Sequence, residues 1–166
     1  MDNLKKKYTS TNVDYKNLTK LIYQELSWLP LYIKQDGKVI ANADNHSEKY
    51  ILDSLKIIKL KFKDLKNKKV FNIGTGRESR FFASHGADVT HIDIGPESVN
   101  ELKNWTKKHK FKVNTNQIDI ADAEIGKNKF DIIFLSGIYQ HIKYPALALV
   151  KFINELKKNG LMYMGF

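Results

Sequence analysis

An α/β fold, a doubly wound and mainly parallel sheet of about five strands behind an N-terminal helical extension, is what the sequence predicts. Three observations point there. From Lys69 onward, short apolar runs alternate with amphipathic runs of helical period, the mark of consecutive βα units. The first of these apolar runs opens straight into a glycine-rich turn, Gly74-Thr75-Gly76. The chain has 166 residues, 42% of them hydrophobic, which is enough apolar material for one sizeable core. We divide it into residues 1–68, a helical extension or cap, and residues 69–166, the sheet-bearing core.

In the extension, Leu18, Leu21, Ile22 and Leu26 form a helical stripe that ends before Pro30. Gln35-Asp36-Gly37-Lys38 reads as a turn. A second stripe follows, Ile51, Leu55, Ile58 and Phe62, with Asn45 and Glu48 spaced as a capping box in front of it. The first core strand is Val70 to Ile73. The helix after the glycine turn carries Phe81, Phe82 and Ala83 and stops at Gly86, a C′ residue. Val89 to Ile92 is the second strand, closed by Asp93. The next helix opens at Pro96, with Glu97 early and Lys107, Lys108 and His109 late, the order the helix dipole favours. Val99, Leu102 and Trp105 are its buried stripe. A third strand lies near Phe111 to Asn116, followed by Ile118-Asp119-Ile120, and a fourth is Phe130 to Leu135. Ala146, Leu149, Val150, Ile153 and Leu156 are expected to face the core from the next helix. Asn159-Gly160 turns the chain, and Leu161 to Phe166 begins a fifth strand.

Composition excludes several chemistries. With no cysteine, the chain cannot hold a cysteine-ligated zinc or iron–sulfur cluster, nor attack a substrate through sulfur. The formal net charge is +10, but only Arg77 and Arg80 are arginines, whereas bidentate reading of phosphates and base edges favours arginine. The basic balance therefore reads as a solvated lysine surface, and a nucleic-acid partner is not expected. Lys5, Lys6 and Lys7 are followed by polar residues where an export signal would carry its apolar core, and Leu21 to Ile33 is broken by Gln24, Glu25 and Pro30, so no membrane span is expected. A cytoplasmic location is the expectation. The five histidines show no metal-ligand helical spacing, and no metal is expected. Of them, His46 reads as part of a cap, His85 as a helix end, His91 as one position in an alternating strand and His109 as the close of a lysine-rich helix.

A strand, a glycine-rich turn and a helix bring backbone N–H groups to a helix N-terminus, where an anionic group can approach without side-chain conflict. Asp93 ends the next strand, nineteen residues after Gly74, where a carboxylate can accept both hydroxyls of a ribose. A dinucleotide fingerprint would want glycine at 79, and the residue there is Ser79. Asp119, just after the third strand, can accept from an adenine amino group, and Ser136 to His141 follow the fourth strand at the edge where open parallel sheets bind ligands.

With these residues in place, the stretch from Val70 to Phe166 resembles a class I S-adenosylmethionine-dependent methyltransferase of the small-molecule, methyltransferase-domain type. The resemblance implies a Rossmann-like sheet of order 3-2-1-4-5 and S-adenosyl-L-methionine as cofactor, leaving S-adenosyl-L-homocysteine as product. It implies that Gly74 and Gly76, with Thr75, approach the methionine moiety, that Asp93 with Ile94 takes the ribose diol, and that Asp119 with Ile120 reads adenine. Asn72 and Ser136 complete the expected cofactor-binding set. Two positions depart from the family: Asn72 stands where an acidic residue is usual, and Glu78 where a third glycine is common. Asn72 can orient the loop but cannot complement the cofactor's ammonium group.

Methyl transfer from a sulfonium is an in-line displacement, so the protein chiefly positions the partners and excludes water. His141 is the candidate general base for a hydroxyl or ammonium acceptor, and Tyr139 and Tyr144 are candidates for the pocket wall. Ser136-Gly137-Ile138-Tyr139 lacks the Pro-Pro-aromatic signature of nucleic-acid amino methyltransferases in the wider family, which leaves a small-molecule or lipid-like acceptor, or a protein side chain. Trp28, Tyr32 and an Asn42 to Ser47 loop are the expected acceptor-side segments. Two alternatives stand beside this reading: a non-catalytic or truncated S-adenosylmethionine-binding module, and an NAD-binding oxidoreductase domain. The family's sheet has seven strands, so the chain reads as truncated after the fifth. Its apolar end, Leu161 to Phe166, is expected to self-associate through that strand or to belong to a longer enzyme, with weak activity in isolation.

Overall fold

Runs rich in valine, isoleucine and phenylalanine pair into one sheet because both of its faces are offered an apolar cover. The computed structural model describes residues 34–35, 38–39, 43–124, 126–142 and 144–165. Two short strands, β1 (Lys34–Gln35) and β2 (Lys38–Val39), pair antiparallel with Gln35 opposite Lys38, and Asp36 and Gly37 of the expected turn lie outside the described residues. Then come α1 (Ala43–Ile57), a 3-10 turn (Phe62–Leu65), β3 (Lys69–Ile73), α2 (Arg77–Ser84), β4 (Asp88–Asp93), α3 (Pro96–His109) and β5 (Val113–Gln117). The chain continues through β6 (Phe130–Ser136), a 3-10 turn (Tyr139–His141), α4 (Pro145–Glu155) and β7 (Leu156–Gly165). The large sheet runs β5-β4-β3-β6-β7 with every pair parallel, which is the expected order 3-2-1-4-5 when only its own strands are counted.

Each face of the sheet has its own apolar cluster. On one, Ile51 and Leu55 of α1 and Leu65 of the 3-10 turn join Val70, Phe82, Val89, Ile132 and Phe134, so residues ahead of β3 share a core with the sheet. On the other, Phe71, Ile73, Ile133 and Leu135 pack against Ala148 and Phe152 of α4. α2 ends as expected: the Gly86 N–H reaches Ala83 O at 3.0 Å and the Ala87 N–H reaches Phe82 O at 3.1 Å, a Schellman closure.

Three expectations need correction. α1 begins at Ala43, so Asn45 lies inside its first turn rather than at a cap, and residues 43–47 are helical rather than a loop. α4 buries Ala148, Phe152 and Glu155, while Val150, Ile153 and Leu147 are 57%, 54% and 69% exposed and Ala146 is exposed too. The helix is apolar around most of its circumference, so periodicity offered two stripes, and the bulk of Phe152 selects the one that faces Phe71. Asn159-Gly160 does not separate α4 from the fifth strand. It forms an irregularity within β7, where pairing jumps from Phe130–Leu156 to Ile132–Leu161 and Asn159 takes φ +70°. Tyr144, a candidate for the pocket wall, is 55% exposed. The Leu18–Leu26 stripe, Trp28 and Tyr32 lie outside the described residues.

Candidate active site at the carboxyl edge

The carboxyl ends of β3 and β6 meet where the strand order reverses, the crevice in which open α/β sheets bind ligands. Ile73 pairs with Ile92 on one side and Leu135 on the other, which sets Gly74 beside Ser136. Gly74 has φ +124° and Gly76 φ +82°, a backbone L side chains rarely adopt. Space is short as well: a Cβ on Gly74 would meet Ile138 Cδ1 at 3.2 Å, and one on Gly76 would meet Leu102 Cβ at 3.3 Å. Gly76 is the N-cap of α2, so the loop delivers the N–H groups of that helix's first turn to the edge, with Thr75 half-buried between the glycines.

Asp93 closes β4. Its Oδ1 accepts from the Gly95 N–H at 2.5 Å, yet burial outweighs the Gly95 and Ile94 N–H groups and raises its pKa to about 7. The next strand end is tied to it, since the Ile118 N–H donates to Asp93 O at 3.0 Å and Gln117 Nε2 donates to Ile94 O at 3.2 Å. Asp119 follows in an Asx turn, Oδ1 accepting from the Ala121 N–H at 2.9 Å, beside the buried Ile120. Lys151 of α4 reaches Ile120 O at 3.4 Å. Two carboxylates thus stand at the ends of neighbouring strands on the β4 side of the glycine loop.

Across the loop, hydroxyls replace carboxylates. Tyr50 of α1 lies 2.7 Å from Ser136 Oγ and 3.1 Å from the Tyr163 hydroxyl, and Gly165 leaves room for them, because a Cβ there would sit 2.6 Å from the Tyr50 oxygen. His141 is exposed at the end of its 3-10 turn.

The two departures from the family have a physical place. Asn72 is fully buried, its Nδ2 donating to Phe134 O at 3.0 Å and its Oδ1 accepting from Ser79 at 2.7 Å, so both ends of the amide are held by protein and the expectation that it contacts the cofactor is corrected. Glu78 sits in the first turn of α2, where burial raises its carboxyl above the usual range against its own N–H and Arg77, while Arg80 pairs with Glu101 at 3.2 Å. Sequence reading missed Ser79, His91, Tyr50 and Tyr163. The signal for the first two was polarity at inward positions: Ser79 shares a helix stripe with Phe82 and Ala83, and His91 shares a strand face with Val89.

Backbone donors at a glycine turn and a carboxylate at the end of the next strand fit an adenosyl amino-acid cofactor better than a dinucleotide, whose fingerprint wants a third glycine where this chain has Ser79. Residues 71–164, more than half of the chain, match the family described as methyltransferase domain. The chain is 23% identical over 155 residues to the ubiquinone biosynthesis O-methyltransferase of Rickettsia typhi, covering 91% of this chain and 60% of that one. It therefore spans less than two thirds of that relative. Among solved structures, the Haemonchus contortus phosphoethanolamine N-methyltransferase 1 superposes with a TM-score of 0.66 at 16% identity, over 89% of this chain and 32% of that one. The magnesium protoporphyrin IX methyltransferase of Synechocystis PCC 6803 gives 0.65 at 16%, over 89% and 74%. At such identities the structural likeness is one of fold. The domain match, the strand order and the loop geometry agree: the chain belongs to the methyltransferase-domain family of class I S-adenosylmethionine-dependent methyltransferases.

Proposed function

We propose that this chain binds S-adenosylmethionine at the carboxyl edge and methylates an oxygen of a small phenolic or lipid-like acceptor. The observation that carries the reading is the division of that edge at Gly74, with carboxylates and backbone N–H groups over β4 and β5 and hydroxyls over β6 and β7. The oxygen is carried over from the Rickettsia relative, whose name is that of an O-methyltransferase.

When bound, S-adenosylmethionine supplies an electrophilic methyl group on a sulfonium centre. Gly74, Thr75 and Gly76 give the methionine end a backbone cradle, Asp93 with Ile94 holds the ribose diol, and Asp119 with Ile120 holds adenine. Asp93 does this as a carboxylate. Ser136, expected from the sequence in the cofactor-binding set, moves to the acceptor side in this reading because of its 2.7 Å contact with the Tyr50 hydroxyl. Tyr50, Ser136 and Tyr163 orient the acceptor: three hydroxyls hold three protons, two are used between them, and the third is free to be donated outward. His141 takes the proton that the acceptor oxygen gives up as it gains the methyl group. We also propose that β7 self-associates with a second copy of this chain along the edge that pairs with no described strand.

Calorimetry with S-adenosylhomocysteine and NAD, followed by turnover of S-adenosylmethionine over a panel of catechols and phenols, tests the reading. Binding of S-adenosylhomocysteine but not NAD, with methylation of a phenol, is expected. Binding without turnover across the panel would make the chain a binding module, and a preference for NAD would overturn the cofactor. Light scattering at tens of micromolar tests the edge, and a monomer would reject the pairing.

A further inference from the structure

Beneath the glycine loop lies a polar row that the cofactor reading does not use. In register across the sheet, Asn72 has His91 on one side and Phe134 on the other, and Ser79 comes down from the first turn of α2. Asn72, Ser79 and His91 are all fully closed to solvent. Their hydrogen bonds admit one proton order. A carbonyl can only accept, so the atom of Asn72 that is 3.0 Å from Phe134 O is its nitrogen, and Oδ1 faces Ser79 Oγ at 2.7 Å. Serine must give its only proton to that oxygen. Toward His91 Nδ1, 3.0 Å away, the same hydroxyl can then only accept, which assigns the imidazole its proton on Nδ1. Nε2 is left as a bare acceptor with no partner among the described residues, a smaller cost than a buried, unpaired charged donor. Burial and the Arg80 charge act in the same sense, pulling the His91 pKa down to about 4.

We propose that Ser79 and His91 are positioning residues of the cofactor site: the one-way chain His91 to Ser79 to Asn72 to Phe134 O fixes the first turn of α2 against three strands, and with it the Gly74–Gly76 turn. The inference rests on the reading of this edge as the cofactor site, but the proton order does not. The chain also gives a reason for asparagine at 72. An aspartate there would turn a second oxygen toward the Phe134 carbonyl and lose the side-chain bond that this position adds to the β3–β6 ladder. The residues at 72, 79 and 91 therefore work as a set. Asp93 lies two residues beyond His91 on the same face of β4, so the row supports both halves of the ribose and methionine cradle.

The test is a long-range proton–nitrogen NMR spectrum of histidine-labelled protein at neutral pH, with the amide resonances of Gly74, Thr75 and Gly76 recorded alongside S-adenosylhomocysteine titrations. Wild type should show His91 as the Nδ1-protonated tautomer. Ser79→Ala and His91→Leu should shift the loop amides and weaken S-adenosylhomocysteine about threefold to tenfold, the scale of one lost buried hydrogen bond. His91→Asn, whose amide nitrogen can stand where Nδ1 stands, should keep wild-type loop shifts and affinity. An Nε2-protonated His91 in the wild type overturns the proposal without any variant having to fold. So do unchanged loop amides in both Ser79→Ala and His91→Leu. Wild-type protein that binds no S-adenosylhomocysteine would instead overturn the cofactor reading, and the tautomer and loop amides would still decide the proton order and the positioning.

Discussion

The two halves of the carboxyl edge are held by opposite kinds of hydrogen bonding. Over β3 and β4 the polar groups are buried and point one way, from His91 through Ser79 to Asn72, with Asp93 fastened to the Gly95 N–H. Over β6 and β7 they are hydroxyls that can donate or accept, and Tyr50 is 40% exposed. α4 extends the contrast, since it seats Phe152 fully and leaves Leu147, Val150 and Ile153 bare. A constant ligand calls for groups fixed before it arrives, whereas an acceptor that differs between relatives calls for groups that adjust. We read the first half as the cofactor's and the second as the acceptor's.

The largest effect should come from the packed side of the second half. Phe152→Ala removes a ring that packs at a tilt against Phe71, centroids 6.1 Å apart, and should cost about 3–5 kcal/mol of stability in chemical denaturation. His141→Ala comes next. As the proton acceptor it should lower kcat about 100-fold, near 2.7 kcal/mol, with S-adenosylhomocysteine affinity unchanged. Full turnover in that variant would remove the histidine from the chemistry. Tyr50→Phe and Ser136→Ala each take one hydroxyl from the acceptor side and should raise the acceptor KM about threefold to tenfold while sparing the cofactor Kd. A change in cofactor Kd instead would move the boundary between the halves. The smallest effect belongs to the bare stripe of α4: Val150→Ser and Ile153→Ser should stay within about 0.5 kcal/mol of wild type, and a larger loss would mean that this face is covered in solution.

The first half was the more legible in the sequence, for reasons that follow from how it is built. Gly74, Gly76 and Asp93 act through positive φ and through place at a strand end, both of which chain order encodes. The helix from Pro96 to His109 matched its expected limits because proline opened it and charge order marked its end. Asn72 stood out only as an exception, because its partners Ser79 and Phe134 come from other elements and the next member of the row, His91, from yet another strand. Tyr50 was hidden more deeply, since nothing in the periodicity of α1 says that it reaches Ser136, eighty-six positions away. The buried stripe of α4 was misread because composition offered two apolar faces and only packing could choose.

The claim that the first half holds the cofactor is tested most directly by titrating S-adenosylhomocysteine into wild-type, Asp93→Ala and Asp93→Asn protein at pH 6 and pH 8. Burial raises the Asp93 pKa from 3.8 to about 7, so the folded protein holds that proton more tightly than the unfolded chain. Its contribution to stability is present in full below 3.8 and is lost as pH rises through 7. A ligand that needs the carboxylate shows the reverse, with affinity rising about tenfold between the two pH values as the group ionises. The account predicts that rise in wild type, its disappearance in Asp93→Asn, and a loss of about 10- to 100-fold at pH 8 in Asp93→Ala with unchanged circular dichroism. Equal affinity in all three proteins, with no dependence on pH, would contradict it.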